Sequence, residues 1–255
     1  MIFKPPAAGD LPPLTAEELS RPYAAWYWKG AAEPDAETAA LIVEGRPLAV
    51  SDVLRPEDIN RLMEPGYLPG EMGYCVLPDG TGYAAVRTGM PGISPEMLGW
   101  WTQWHEQEDL RYKLWCPGSH EAVGPFWMRE NVGMGMEDIF CVQYHTPESF
   151  GFDMSRFGQN GNMMLAFGAN GMSCPVGAAA RPLPVTVMHF VRPLPGGLEL
   201  RSRFWLGLHI RDGRAARYLL EHPVEEARAC GFAWHCACEM ATLRRMLPTL
   251  YSEYR

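Results

Sequence analysis

No stretch of this chain is apolar for long enough to span a bilayer, so a helical membrane protein is excluded at the outset. Basic residues are scarce. Twenty-two Lys and Arg against 30 Asp and Glu give a formal charge of −8, and no Lys/Arg cluster offsets it, which argues against nucleic acid or an acidic membrane as a partner. The opening residues, MIFKPPAAGDLPPL, lack the continuous apolar core of a secretory signal, and the expected location is the cytoplasm. Cysteine follows no disulfide-framework spacing: seven residues, an odd number, fit reduced thiols in that compartment. There is no Gly-x-Ser-x-Gly elbow, no Walker loop and no Gly-x-Gly-x-x-Gly after a strand, and no local signature favours a Cys/His nucleophilic pair.

What is present is a globular composition. With 47% hydrophobic and 20% charged residues, 255 residues can bury one substantial core with room for a small extra region. The first eighty residues are rich in Pro, Ala and Glu. TAEELSRPYAAWYW carries a Thr cap followed by acids, and SDVLRPEDINRLMEPG a second start and a Pro-Gly stop. These predict a small, mostly helical region over 1–80, ahead of a larger unit over 81–255. TGYAAVRT reads as strand. SPEMLGWWTQWHEQ predicts a helix capped by Ser94 with Pro95 at its first position. RYKLW and MEDIFCVQYH look extended.

The clearest local pattern is VTVMHFVR and LELRSRFWLGL around Pro-Leu-Pro-Gly-Gly, a β-hairpin with a slightly long loop. Period 2 places Val185, Val187, His189 and Val191 on one face. On the partner strand it groups Leu198, Leu200, Ser202, Phe204, Leu206 and Leu208, with Glu199, Arg201 and Arg203 opposite. Arg201 and Arg203 read as a surface charge ladder. A final helix over about 223–247 has Glu225 and Glu226 in its first turn, Arg244 and Arg245 in its last, and Pro248 as its stop. Antiparallel strands followed by one long helix give an α+β fold in which the sheet curls around the helix and encloses a cavity.

That helix carries the most informative spacing. His235 and Glu239 lie four positions apart, hence one turn apart on one face, presenting two ligands that a divalent metal such as zinc accepts. A surface pair is the ordinary alternative for so short a pattern. Upstream, His120 follows Pro117-Gly118 at a turn or strand end. Glu137 opens a strand-like segment, with Glu130 and Glu148 as competitors. His189 sits on an apolar face, where it needs a hydrogen-bond partner or a polar cavity. Tyr112 reads as a core tyrosine with its hydroxyl at an edge.

Three segments, GWWTQWHEQEDLRYKLWCPGSH, VMHFVRPLPGGLELRSRFWLG and HCACEMATLRRMLPTLY, resemble in order and spacing the 2,4-diacetylphloroglucinol hydrolase family, which also includes phloretin hydrolase. The resemblance runs from about residue 80 to the end. It implies a helix-grip domain, Bet v 1-like or START-like, with one Zn2+ in its cavity and a smaller helical region before it. It also implies cleavage of the carbon–carbon bond joining an acyl group to a polyhydroxylated ring. Carried over by position, the zinc ligands are His120, Glu137, His235 and Glu239. Tyr112 holds a ring hydroxyl and His189 meets the acyl oxygen. Two positions depart from the family pattern: Val123 stands where an asparagine contacts the substrate, and Phe204 where a second tyrosine does. The substrate implied is a small phenolic ketone, and by the same analogy two copies associate through the N-terminal region. The competing classes are a non-catalytic carrier of an aromatic or apolar ligand, which needs no metal, and a hydrolase of esters on the same scaffold.

Overall fold

The computed structural model describes residues 6–120, 143–144, 146–172, 183–211, 213–217, 220 and 222–255. The chain begins with short helices, α1 (Ala16–Leu19) and α2 (Ala36–Val43), interleaved with 3-10 turns. The Thr15 cap is realised as a full capping box: its side chain accepts from the Glu18 N–H while Glu18 accepts from the Thr15 N–H. The second start signal gives 3-10 helix at Val50–Asp52 and Pro56–Met63, not α-helix. Strands β1 (Gly73–Val76) and β2 (Gly82–Pro91) follow, so the sheet already begins within the first eighty residues.

Next come α3 (Pro95–Trp104), capped by Ser94 accepting from the Met97 N–H, and α4 (Asp109–Trp115). The RYKLW segment is therefore helical, contrary to its extended reading. Leu110 and Leu114, four apart and both buried, make one inward face at helical spacing. Two-residue β3 (Gln143–Tyr144) is the described part of MEDIFCVQYH. After it stand α5 (Pro147–Phe150), β4 (Met163–Met172), β5 (Leu183–Leu194), β6 (Gly197–Leu206), the small pair β7 (Leu208–Arg211) and β8 (Arg214–Arg217), and finally α6 (Glu226–Tyr254).

Among the described residues, one antiparallel sheet of six strands runs β1-β2-β6-β5-β4-β3. β5 and β6 form the predicted hairpin, but its turn is tight. Leu194 pairs with Gly197, leaving only Pro195 and Gly196 between, and Gly196 takes φ +81°. A proline fixes the first turn position and a glycine supplies the positive φ of the second. Each strand therefore extends into the sequence that reads as loop.

The alternation of the hairpin faces is as expected. Val185, Val187, Val191, Leu198, Leu200, Phe204 and Leu206 pack with α6 in one core. Met188, Phe190 and Trp205 pack in a second core with Phe150, Leu54, Ile59 and Leu62. Leu208 belongs to that second core, because Gly207 (φ +81°) breaks the strand and resets the alternation.

The other side of the hairpin is therefore covered, and the surface-ladder reading of Arg201 and Arg203 fails: both are fully buried. Glu71 bridges them, receiving the Arg201 Nε at 3.1 Å and the Arg203 Nη2 at 2.7 Å. The Leu62 carbonyl accepts from Arg201 Nη1 at 2.8 Å, which ties the sheet to the Pro56–Met63 segment lying over it.

Helix α6 also exceeds its expected length. Pro248 lies inside it, and the helix continues to Tyr254. A proline removes one backbone donor and crowds the preceding turn, but the turns beyond it are anchored. Leu250 is fully buried, and the Tyr251 and Tyr254 rings pack against Trp100, Trp104 and Tyr23. No helix among the described residues is long and apolar enough to cross a membrane.

Candidate metal centre

Three side chains from two places converge. His235 and Glu239 come from adjacent turns of α6, facing the sheet. His120 comes from the turn that ends α4, where its N–H and that of Ser119 both donate to the Cys116 carbonyl at 3.0 Å. Gly118 makes this turn, with φ +79°. A Cβ there would stand 2.7 Å from Pro6 Cγ, so glycine is required on both counts. His120 and Glu239 are buried and His235 is nearly so.

His120 Nε2 lies 3.2 Å from His235 Nε2, and each of these nitrogens lies 3.5 Å from Glu239 Oε2. Ligand atoms around a tetrahedral zinc with bonds of about 2.0–2.1 Å stand about 3.4 Å apart, which the triangle matches. The chemistry of the set agrees. His120 Nδ1 points at the Tyr112 carbonyl, 3.3 Å away, which only accepts, so Nδ1 carries the proton and Nε2 offers its lone pair to the centre. His235 Nδ1 contacts the Cys116 sulfur at 3.8 Å. A carboxylate and two imidazole nitrogens converging at this distance could hold a cation between them. Among the described residues this is the group of His, Cys, Asp and Glu arranged to hold a metal ion.

Electrostatics divide the two rings: against burial, which would lower it, the Cys116 and Glu239 side chains raise the His235 pKa well above its ordinary value. Burial by itself would raise the Glu239 pKa, but the two imidazoles beside it hold the carboxyl ionised, well below the usual range. Burial lowers the His120 pKa and keeps its ring neutral, the ligand form.

Around the centre, the Tyr112 ring stacks on His120 with centroids 4.1 Å apart and planes 3° from parallel. His189 is buried on the interior face of β5, where its Nδ1 meets the Ser202 hydroxyl at 2.8 Å and burial lowers its pKa. Phe204 stands edge-on to His189 and packs against Phe232 of α6. A cavity of about 30 Å3 beside His189 is walled by Trp101, Trp115, Leu200 and Met240. That is room for a small group such as a methyl. A larger space of about 270 Å3 lies between the N-terminal segment and α6, and none of the three converging residues lines it.

The structure thus brings together His120, His235 and Glu239, with Tyr112 against the first and His189 nearby on the sheet. Glu137, Glu130 and Val123 lie outside the described residues. Glu148 is exposed on α5. Sequence reasoning passed over Ser202 and Cys116 as partners of His189 and His235. Ser202 was legible: a two-residue turn at Pro195-Gly196 sets His189 directly opposite it.

The DAPG hydrolase PhiG domain matches the chain over residues 54–127 and 124–252. A 2,4-diacetylphloroglucinol hydrolase from a Pseudomonas species is 31% identical over 270 residues, covering 92% of this chain and 89% of that protein. The 2,4-diacetylphloroglucinol hydrolase of Pseudomonas protegens is 30% identical, covering 92% and 85%. The phloretin hydrolase of Eubacterium ramulus is 28% identical over 267 residues, covering 93% and 92%.

Proposed function

The chain belongs to the DAPG hydrolase PhiG domain family, and from that premise we propose that it is a zinc-dependent hydrolase of acylated polyphenols. The bond broken is the carbon–carbon bond between an acyl group and a polyhydroxylated aromatic ring, as in an acylphloroglucinol. The observation that carries the reading is the triangle of His120 Nε2, His235 Nε2 and Glu239 Oε2, in a chain so similar to hydrolases named for 2,4-diacetylphloroglucinol and phloretin. Glu137 is the proposed fourth ligand. A converging acceptor set has no use in an apolar carrier.

Hydrolysing an aryl ketone needs a nucleophile at the acyl carbon and a ring carbon able to leave. A polyhydroxylated ring can take a proton at that carbon by tautomerising to a ketone. The cleavage is then a retro-Claisen step: water adds to the acyl carbon, the C–C bond breaks toward the ring, and a carboxylic acid and the deacylated phenol result. A zinc ion held by these residues would supply hydroxide near neutral pH and polarise the acyl oxygen. His189 donates a hydrogen bond to the oxygen that gains charge during attack. Tyr112, fixed against His120, orients the ring. Phe204 and Val123 offer no partner for a ring hydroxyl and narrow the choice among phenolic ketones.

We propose the helix-grip arrangement for the sheet and α6. In it, a helical N-terminal region (1–80) contributes β1 to the sheet of a metal-binding unit (81–255). Two copies pairing through the N-terminal region is part of the same proposal. The buried thiols Cys75, Cys116, Cys230, Cys236 and Cys238 suit a reducing compartment, the cytoplasm. The test is metal analysis of protein purified without chelators, followed by assays with acylphloroglucinols, other phenolic ketones and aryl esters. Stoichiometric zinc with release of acid from the ketones is the expected result. Turnover of esters alone would move the protein to a different hydrolase class.

A further inference from the structure

His189 and Ser202 face each other across the β5–β6 hairpin, each the polar residue of an otherwise apolar strand face. Both are buried, Ser202 completely. Their contact, Nδ1 to Oγ at 2.8 Å, lies in the range of a well-formed hydrogen bond. A hydroxyl can donate or accept, so the partners around it decide which. Among the described residues the Cys236 thiol also meets the Ser202 hydroxyl, and a thiol sulfur is a far weaker acceptor than an imidazole nitrogen. The serine proton therefore belongs on the bond to Nδ1. The imidazole is then neutral with its own proton on Nε2, the nitrogen across the ring. That nitrogen has no hydrogen-bond partner among the described residues, and His189 forms part of the wall of the cavity beside Trp101 and Trp115. Burial disfavours the charged ring and keeps this neutral form in place.

We propose that Ser202 is a positioning residue which, by donating to Nδ1, holds His189 as the Nε2–H tautomer and so aims a fixed donor at the acyl oxygen of the substrate. This rests on the catalytic reading of His189 given above. Without the serine, the neutral ring can carry its proton on either nitrogen and loses the contact that fixes its orientation, so a share of the molecules presents a lone pair where a donor is needed. A hydroxyl at this position has no bulk requirement that alanine would fail by much, so the fold should survive its loss.

The experiment uses the full-length metal-loaded protein with Ser202→Ala and Ser202→Thr. The first readout is the ring itself: long-range 15N–1H correlation spectra of 15N-histidine-labelled protein distinguish Nδ1–H from Nε2–H. His189 should show the Nε2–H pattern in the native protein and in Ser202→Thr, and a shift toward Nδ1–H or a mixture in Ser202→Ala. The second readout is kinetic. Ser202→Ala should lower kcat about 2- to 10-fold with little change in KM, and Ser202→Thr should restore most of it. An Nε2–H tautomer unchanged in Ser202→Ala, or Nδ1–H in the native protein, overturns the proposal whatever the activity. If the tautomer responds as expected but no phenolic ketone is turned over by the native protein, the positioning device stands and the functional reading fails instead.

Discussion

His120 Nε2 stands 3.2 Å from His235 Nε2, although the residues are 115 positions apart in the chain. The first is locked lone-pair inward by the Tyr112 carbonyl behind it, and Glu239 closes the triangle as a third acceptor. Such a cluster could hold a metal ion.

The expected outcome is about one zinc per chain. His120→Ala, His235→Ala and Glu239→Gln should each drop metal content well below one equivalent by elemental analysis. Chelation should lower the melting temperature of the native protein, since a ligand present at a thousandfold excess over its Kd stabilises by about 4 kcal/mol. No transition metal in unchelated protein, or a His235→Ala variant with full metal, would sink this. Should Glu137→Gln be silent while Glu130 or Glu148 substitutions abolish binding, the fourth ligand alone is misassigned.

Two of the three converging residues were legible in local spacing, while His120 entered through the family resemblance. The four-residue spacing of His235 and Glu239 needs only a helix, and the alternation around His189 needs only a strand. What escaped depended on contacts distant in sequence. Nothing near Arg201 and Arg203 announces that Glu71, 130 residues away, lies over them, so alternating arginines read as solvated. Pro248 reads as a stop because the anchoring of Tyr251 and Tyr254 by Trp100, Trp104 and Tyr23 is tertiary. The helix over Asp109–Trp115 was readable, however, from the Leu110 and Leu114 pair.

The clamp at Glu71 predicts a specific acid sensitivity. Burial would raise this carboxyl, but the Arg201 hydrogen bonds and the two guanidinium charges lower it from 4.5 to about 2. Because the folded pKa lies below the unfolded one, the stabilisation is fully present above pH 4.5 and fades as pH falls toward about 2. The linked amount is about 3 kcal/mol. Glu71→Gln removes one partner of a buried ion cluster and should cost about 3–5 kcal/mol at pH 7. Its stability should also be flatter between pH 5 and 2 in urea titrations. A variant as stable as the native protein would show the clamp to be dispensable.

The tail of α6 beyond Pro248 should be worth nearly as much as any core segment. Leu250 is fully buried in the core shared by the sheet and the N-terminal helices. Leu250→Ala should destabilise by about 2–5 kcal/mol, and Pro248→Ala should be neutral or stabilising, since it restores a backbone donor. Chemical denaturation of both variants reads this directly. Marginal cost at Leu250 would mean the last turns fray in solution.

Substrate choice should follow Phe204. Its ring lies against His189 and Phe232 and brings no hydroxyl to the site. A site without a partner for a ring hydroxyl does not reward that hydroxyl. Together with Val123 this predicts a preference away from the diacetylated compound, toward less hydroxylated or bulkier phenolic ketones. Phe204→Tyr should shift kcat/KM back toward the more hydroxylated ring. A native preference for diacetylphloroglucinol over every such ketone contradicts it.

The role of His189 separates catalysis from packing. The imidazole already has a hydrogen-bond partner in Ser202, so a purely structural histidine would be satisfied where it stands. If its second nitrogen donates to the oxygen that gains charge during attack, the loss must fall on the transition state more than on the ground state. Removing one such donor typically costs about 10²–10³ in turnover. His189→Ala should therefore retain zinc and fold while kcat drops by that factor and KM changes less. A core histidine behaves in the opposite way: the melting temperature falls, because a buried ring is replaced by a void, while the surviving folded protein turns over at the normal rate. Metal content, melting temperature and kcat measured on one preparation distinguish the two. Normal kcat with zinc intact would make His189 structural and require another donor for the acyl oxygen.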